Sequence, residues 1–83
     1  MNNKLTDTQK AILLYLYAFK ITKRTTIEDI VRATKLTRQT ISKHLNVLLE
    51  YRYITVERLV ATDNSNIKYW TISGKGIRHV RKN

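Results

Sequence analysis

The chain has no cysteine, no proline, two glycines, one tryptophan, one phenylalanine and one methionine in 83 residues. Without cysteine there is no disulfide framework, no thiolate metal site and no cysteine nucleophile, a usage that fits a reducing interior. The glycines, in Ser73-Gly74-Lys75-Gly76, do not form a phosphate-cradling loop. Acid is also scarce, with six Asp and Glu against sixteen Lys and Arg. Asp7, Glu28 and Asp29 fall in the first turns of expected helices, where the helix dipole favours them, and Asp63 falls in a turn. No carboxylate pair with an evident pocket is left for acid–base work. The histidines, His44 and His79, make no metal set with such scattered acids, and His44, near an apolar helix face, reads as a packed, hydrogen-bonded residue. An enzyme is therefore not expected, nor a cofactor, nor a small-molecule effector. Ala11 to Phe19 is apolar or aromatic throughout, but far shorter than the roughly 20 residues that span a bilayer. Tyr15, Tyr17 and Phe19 within it, and Lys20 and Lys23 after it, argue against a signal peptide. The expected location is intracellular, with no membrane partner.

What is present is positive charge on a foldable chain. The formal net charge is +10, the sequence pI is about 10.2, and 42% of residues are hydrophobic. That combination excludes a disordered basic tail and points to a folded domain that binds a polyanion. The cations are spread through every segment, so the charge belongs to the folded surface; an anionic membrane is the competing polyanion. Residues 1–83 read as one domain, without repeat, low-complexity tract or linker, near the size at which a partner adds needed burial. A homodimer is expected.

Four helices and a hairpin are legible. Thr6-Asp7-Thr8-Gln9 has capping-box spacing for a first helix running to about Phe19. That helix is apolar all round and must be covered on more than one side, which nominates Leu13 and Tyr17, with Ile77 and Val80 near the C-terminus, for a subunit interface. Ile27, Ile30 and Val31 mark a second helix over 26–34, with Thr25 and Glu28 at capping-box spacing. Only Thr34-Lys35-Leu36-Thr37 separates it from a third, the connection expected of a helix-turn-helix. Tyr53 to Ala61 and Ile67 to Ile72 are rich in β-branched and aromatic residues and flank the turn-forming cluster 62–66. They predict a β-hairpin with Ile54, Val56, Trp70 and Ile72 on its core side. Ser73 then caps a short last helix over about 75–82.

The third helix carries the most information. At about 100° per residue, Ile41, Leu45, Leu48 and the stem of Arg52 share one sector, while Gln39, Lys43, Asn46 and Glu50 lie opposite, with Thr40 and Ser42 on the shoulders. Gln39, Lys43, Asn46, Ser42 and Thr40 are the candidate base contacts, because Lys suits guanine acceptors and Gln or Asn suits adenine. Thr37, a candidate N-cap, leaves free amides suited to a phosphate. Arg38, Lys23, Arg24, Thr25 and Lys35 are further phosphate candidates, and Arg58 and Lys68 are candidate contacts near the hairpin tip.

The segment Thr40-Ile41-Ser42-Lys43-His44-Leu45-Asn46-Val47-Leu48 resembles the recognition-helix motif of arsenical-resistance-type (ArsR) winged-helix repressors. Leu5-Thr6-Asp7-Thr8-Gln9 and Trp70-Thr71-Ile72-Ser73-Gly74-Lys75-Gly76 are more similar to the multiple-antibiotic-resistance type (MarR). The resemblance implies an α+β winged helix-turn-helix, a three-helix core with a β-hairpin wing and a short C-terminal helix. It further implies a dimeric transcriptional regulator that reads double-stranded DNA with residues 37–50 in the major groove and 53–72 on the backbone or minor groove. Compact regulators of this kind resemble those of archaea and their viruses or plasmids. Two departures matter: the cysteines of the arsenical-type metal sensors are missing, and Tyr51-Arg52-Tyr53 stands where those families usually place a glycine after the recognition helix. Arg52 must then accept a left-handed turn, or the helix ends differently. Two other readings fit the same composition: a sequence-independent architectural or replication-associated DNA binder, and a winged-helix protein-interaction module.

Overall fold

The computed structural model describes residues 4–22 and 24–82. Its elements run α1 (Asp7–Ala18), α2 (Ile27–Thr34), α3 (Arg38–Glu50), β1 (Ile54–Val60), β2 (Asn66–Ile72) and α4 (Gly74–Lys82). The α+β order expected above, with a hairpin between the third and fourth helices, is the order found.

Each of the first three helices starts on a threonine. The Thr6 hydroxyl accepts from the Gln9 amide at 3.1 Å, and the Gln9 side chain accepts in return from the Thr6 amide at 3.0 Å. Both groups are orphan donors at a helix start. In α2 the capping box sits one residue later than its sequence suggests. Thr26 is the N-cap and Asp29 the reciprocal acceptor, while the Thr25 and Glu28 side chains are not used for it. Thr25 is taken away because its backbone pairs with Trp70, whose amide donates to the Thr25 carbonyl at 2.8 Å. Thr37 caps α3, accepting from the Thr40 amide.

Termination uses left-handed residues without glycine. Lys35 at the end of α2 has φ 62°, Arg52 just beyond α3 has φ 65°, and Asn64 in the hairpin turn has φ 67°. Arg52 thus accepts the left-handed turn, a conformation that costs roughly 1–2 kcal/mol in a residue with a Cβ. It lies outside α3 and is exposed, which corrects the expectation that its stem extends the buried face.

The hairpin pairs Ile54 with Ile72, Val56 with Trp70, Arg58 with Lys68 and Val60 with Asn66. Alternation puts these pairs on one face. Ile54, Trp70 and Ile72 are buried and Val56 is half-buried, so the root of this face closes the core and its far end projects. The core itself joins Ile12, Leu13 and Leu16 of α1, Ile30 of α2, and Ile41, Leu45 and Leu48 of α3 to that root. α4 lies chiefly on α1 and β2. Its Gly76 is buried against the Tyr53 carbonyl, and its His79 ring sits 4.6 Å from the Tyr53 ring.

Candidate nucleic-acid interface

α3 is oriented by what it buries. Ile41, Leu45 and Leu48 have no exposed surface, and a fourth tie comes from His44. Gln9 already spends its side-chain oxygen on the Thr6 amide, so its NH₂ donates to His44 Nδ1 at 3.1 Å. This is the packed, hydrogen-bonded histidine expected from the wheel. With that side turned inward, Gln39, Ser42, Lys43, Asn46 and Glu50 are left exposed. Thr40 is half-buried, and its hydroxyl accepts from the Thr37 hydroxyl at 2.9 Å. Thr37, Arg38, Gln39 and Ser42 line one open depression at the start of the helix. The first turn of α3 contains no acid, unlike those of α1 and α2. Its free amides and dipole therefore attract an anion unopposed within the helix.

The flanking cations divide. Arg38 is exposed, and its guanidinium pairs with the Glu28 carboxylate of α2. This contact across ten residues was invisible in the sequence, where the helix dipole and a capping box with Thr25 accounted for Glu28. Lys35 is exposed at the turn of the helix-turn-helix. Arg24 is exposed and lies 5.4 Å from the Tyr69 ring, which ties it to the hairpin. Thr25 is a correction: only 2% exposed, its side chain is buried and unavailable to a phosphate. Lys23 lies outside the described residues. Arg58 and Lys68 are exposed and directly opposed across the hairpin, an arrangement of like charges that disfavours the strand pair by itself. At the turn, the Ser65 hydroxyl and amide both donate to Asp63 and hold its carboxyl below the usual range, the hydroxyl contributing most.

The nominated subunit contacts fare unevenly. Leu13 is 1% exposed and packs in the chain's own core, so it cannot meet a second subunit. A helix apolar all round does not show which side is free; Leu14 points outward instead, 53% exposed, with exposed Ala11 and Ala18 on either side. Tyr17, Ile77 and Val80 are half-buried against the core and offer a neighbour only their outer edges. Among the described residues no group of three His, Asp or Glu side chains is placed to hold a metal ion, and no helix is long and apolar enough to cross a membrane.

A helix-turn-helix with an exposed polar face beside a β-hairpin that carries Arg58 and Lys68 is a recognisable arrangement, and residues 3–62 match the model of the MarR family. The chain belongs to the MarR family. Of the two resemblances read from the sequence, this is the one its amino- and carboxy-terminal motifs carried. MarR-family proteins are transcriptional regulators and not enzymes. Among solved structures, the chain is similar to a MepR mutant of S. aureus bound to an oligodeoxyribonucleotide, with 30% identity and a TM-score of 0.80 over 93% of this chain and 54% of that one. It is also similar to a ZitR mutant of Lactococcus lactis, with 26% identity and a TM-score of 0.78 over 99% of this chain and 52% of that one. A protein of the thermoacidophilic archaeon Sulfolobus tokodaii has 26% identity and a TM-score of 0.71 over 94% of this chain and 71% of that one. No curated protein is matched by sequence. The chain spans about half the length of the MepR and ZitR structures.

Proposed function

We propose that this MarR-family chain is a DNA-binding transcriptional regulator that reads a specific duplex sequence. α3 enters the major groove, with Lys43, Gln39 and Asn46 at base edges and Ser42 and Thr40 on the shoulders. Thr37, Arg38, Arg24 and Lys35 hold phosphates on either side, and Arg58 and Lys68 of the hairpin follow the backbone or enter the minor groove. Two copies meet along the outward side of α1, with Leu14 at the centre and the outer edges of Tyr17, Ile77 and Val80 beside it. Such a dimer addresses half-sites about 34 Å apart and predicts an inverted-repeat operator. Regulation then follows from occupancy of a promoter, without chemistry on the DNA.

The observation that carries this reading is the exposed polar face of α3, held outward by the burial of Ile41, Leu45 and Leu48 behind it. The MepR neighbour, bound to an oligodeoxyribonucleotide, supports the same partner class. The directly opposed Arg58 and Lys68 support the hairpin contact, since an intervening phosphate removes the repulsion between them. The test is Lys43→Ala measured on a duplex selected from a random library and on its scrambled counterpart. A base contact loses about 1–3 kcal/mol of discrimination between the two duplexes. Equal loss on both means that Lys43 touches only backbone, the behaviour of a sequence-independent binder. No retardation of any duplex by the unaltered chain at low salt points to the protein-interaction module instead.

A further inference from the structure

The proposed groove-facing surface does not use all the charge. α4 carries Lys75, Arg78, Arg81 and Lys82 and no acid. At about 100° per residue, Lys75, Arg78 and Lys82 fall within a sector of about 60°, roughly opposite Ile77 and Val80. All three are exposed, whereas Gly76 is buried and Ile77 and Val80 pack on the core. The helix dipole favours Arg81 and Lys82 in the last turn, but it disfavours Lys75 in the first turn and is indifferent to Arg78. Lys75 gains a hydrogen bond to the Tyr51 carbonyl, at 3.0 Å, and lies 5.1 Å from the centre of the Tyr53 ring, whereas among the described residues no such bond holds Arg78. The patch continues onto the end of α1. There Arg81 Nε donates to the Tyr17 hydroxyl at 3.4 Å and the Lys20 ammonium sits 4.2 Å from the centre of the same ring. Among the described residues ion pairs join Arg32 to Asp29 and Arg38 to Glu28, and none of these five cations meets a carboxylate. α4 packs chiefly on α1 and β2, and where it reaches α3 it does so through Lys75 at the Tyr51 carbonyl, at the opposite end of α3 from the depression lined by Thr37, Arg38, Gln39 and Ser42.

We propose that the outer face of α4 (Lys75, Arg78 and Lys82), extended by Arg81 and Lys20, binds the phosphate backbone of a second DNA segment, so that one molecule bridges two duplexes. A row of cations that meets no carboxylate among the described residues, and carries no selective polar side chains, suits phosphates rather than base edges. An anionic membrane fits less well, because the apolar side of α4 is already committed to the core and leaves nothing on this helix to insert. The inference rests on the DNA-binding reading, and its experiment keeps the two apart.

A duplex selected for binding is fixed to beads, the full chain is added, and capture of a second, labelled duplex is measured alongside ordinary retardation of the first. The unaltered chain is expected to do both. Arg78→Gln/Lys82→Gln, both exposed and distant from the core, is expected to lower capture at least about tenfold while single-duplex affinity changes less than about threefold. An unchanged melting curve for this variant shows that the loss is not one of folding. Lys43→Ala is expected to weaken sequence-selective retardation first. If the unaltered chain retards DNA but captures no second duplex, or if the α4 variant captures normally, the inference is overturned and the DNA-binding reading stands. If no duplex is retarded, that reading itself fails. Should the variant lose sedimentation with phosphatidylserine vesicles while keeping duplex capture, the patch is a lipid surface and the proposal is wrong.

Discussion

Gly74 and Gly76 are two residues apart in one helix and are indistinguishable by composition or spacing. A methyl group added at Gly76 would lie 2.1 Å from the Tyr53 carbonyl oxygen and 2.6 Å from Ile72 Cγ1, whereas one at Gly74 would meet only the flexible end of Arg78 at 3.5 Å. The Tyr53 carbonyl is backbone and also accepts from the Ser73 amide at 2.9 Å, so it cannot swing aside. Gly76→Ala is therefore expected to destabilise the chain by about 1–3 kcal/mol or more in denaturant unfolding. Gly74→Ala should be neutral or gain up to about 1 kcal/mol, because alanine is the better helix former. Equal effects at both positions would mean that α4 does not approach Tyr53 this closely. The same dependence on distant neighbours explains why Thr25, polar and set among cations, was misread as a phosphate contact: Trp70, 45 residues later, draws its backbone into the sheet.

At the level of elements, helix starts were legible because their signals are local. A threonine and its partner three residues on sit within one turn, so Thr6 with Gln9 and Thr37 as a cap could be read directly. In α2 the frame read from the sequence, Thr25 with Glu28, gives way to Thr26 with Asp29, because the Thr25 backbone pairs with β2. The hairpin was legible as two β-branched runs around a turn, but its register was not, and register is what sets Arg58 opposite Lys68. If these two straddle phosphate, Arg58→Ala should weaken binding by a similar factor on selected and scrambled duplexes. It should also reduce the slope of log affinity against log salt by about 1. Its effect on stability should be small or slightly favourable, since a like-charge pair is relieved. A loss of discrimination between sequences would move Arg58 from the backbone to the bases.

For the molecule as a whole, the proposed dimer rests on the outward side of α1. Leu14, with Ala11 and Ala18 beside it, forms the apolar strip left exposed on that helix. Leu14→Glu should shift the chain toward monomer in sedimentation equilibrium while leaving its melting profile at high dilution unchanged, because the side chain lies outside the core. Affinity for a duplex with two half-sites should fall by tenfold or more, since the second helix no longer binds as part of the same molecule. A dimer unaffected by Leu14→Glu would place the interface elsewhere.

By itself the sequence determined the order of elements, the helix starts, the two-sidedness of α3 and the surplus of positive charge. Each of these depends on residues within a turn or a strand of one another, or on a sum over the whole chain. Tertiary structure decided the rest: that Leu13 is interior and Leu14 is not, that Arg38 meets Glu28, that Thr25 joins the sheet, and that Gly76 alone of the glycines is sterically required. These outcomes rest on contacts between segments remote in sequence. Along α3 the polar residues mark the outer face, but along the apolar α1 neighbouring positions look alike in sequence, and only the packed neighbours settle which of them is buried.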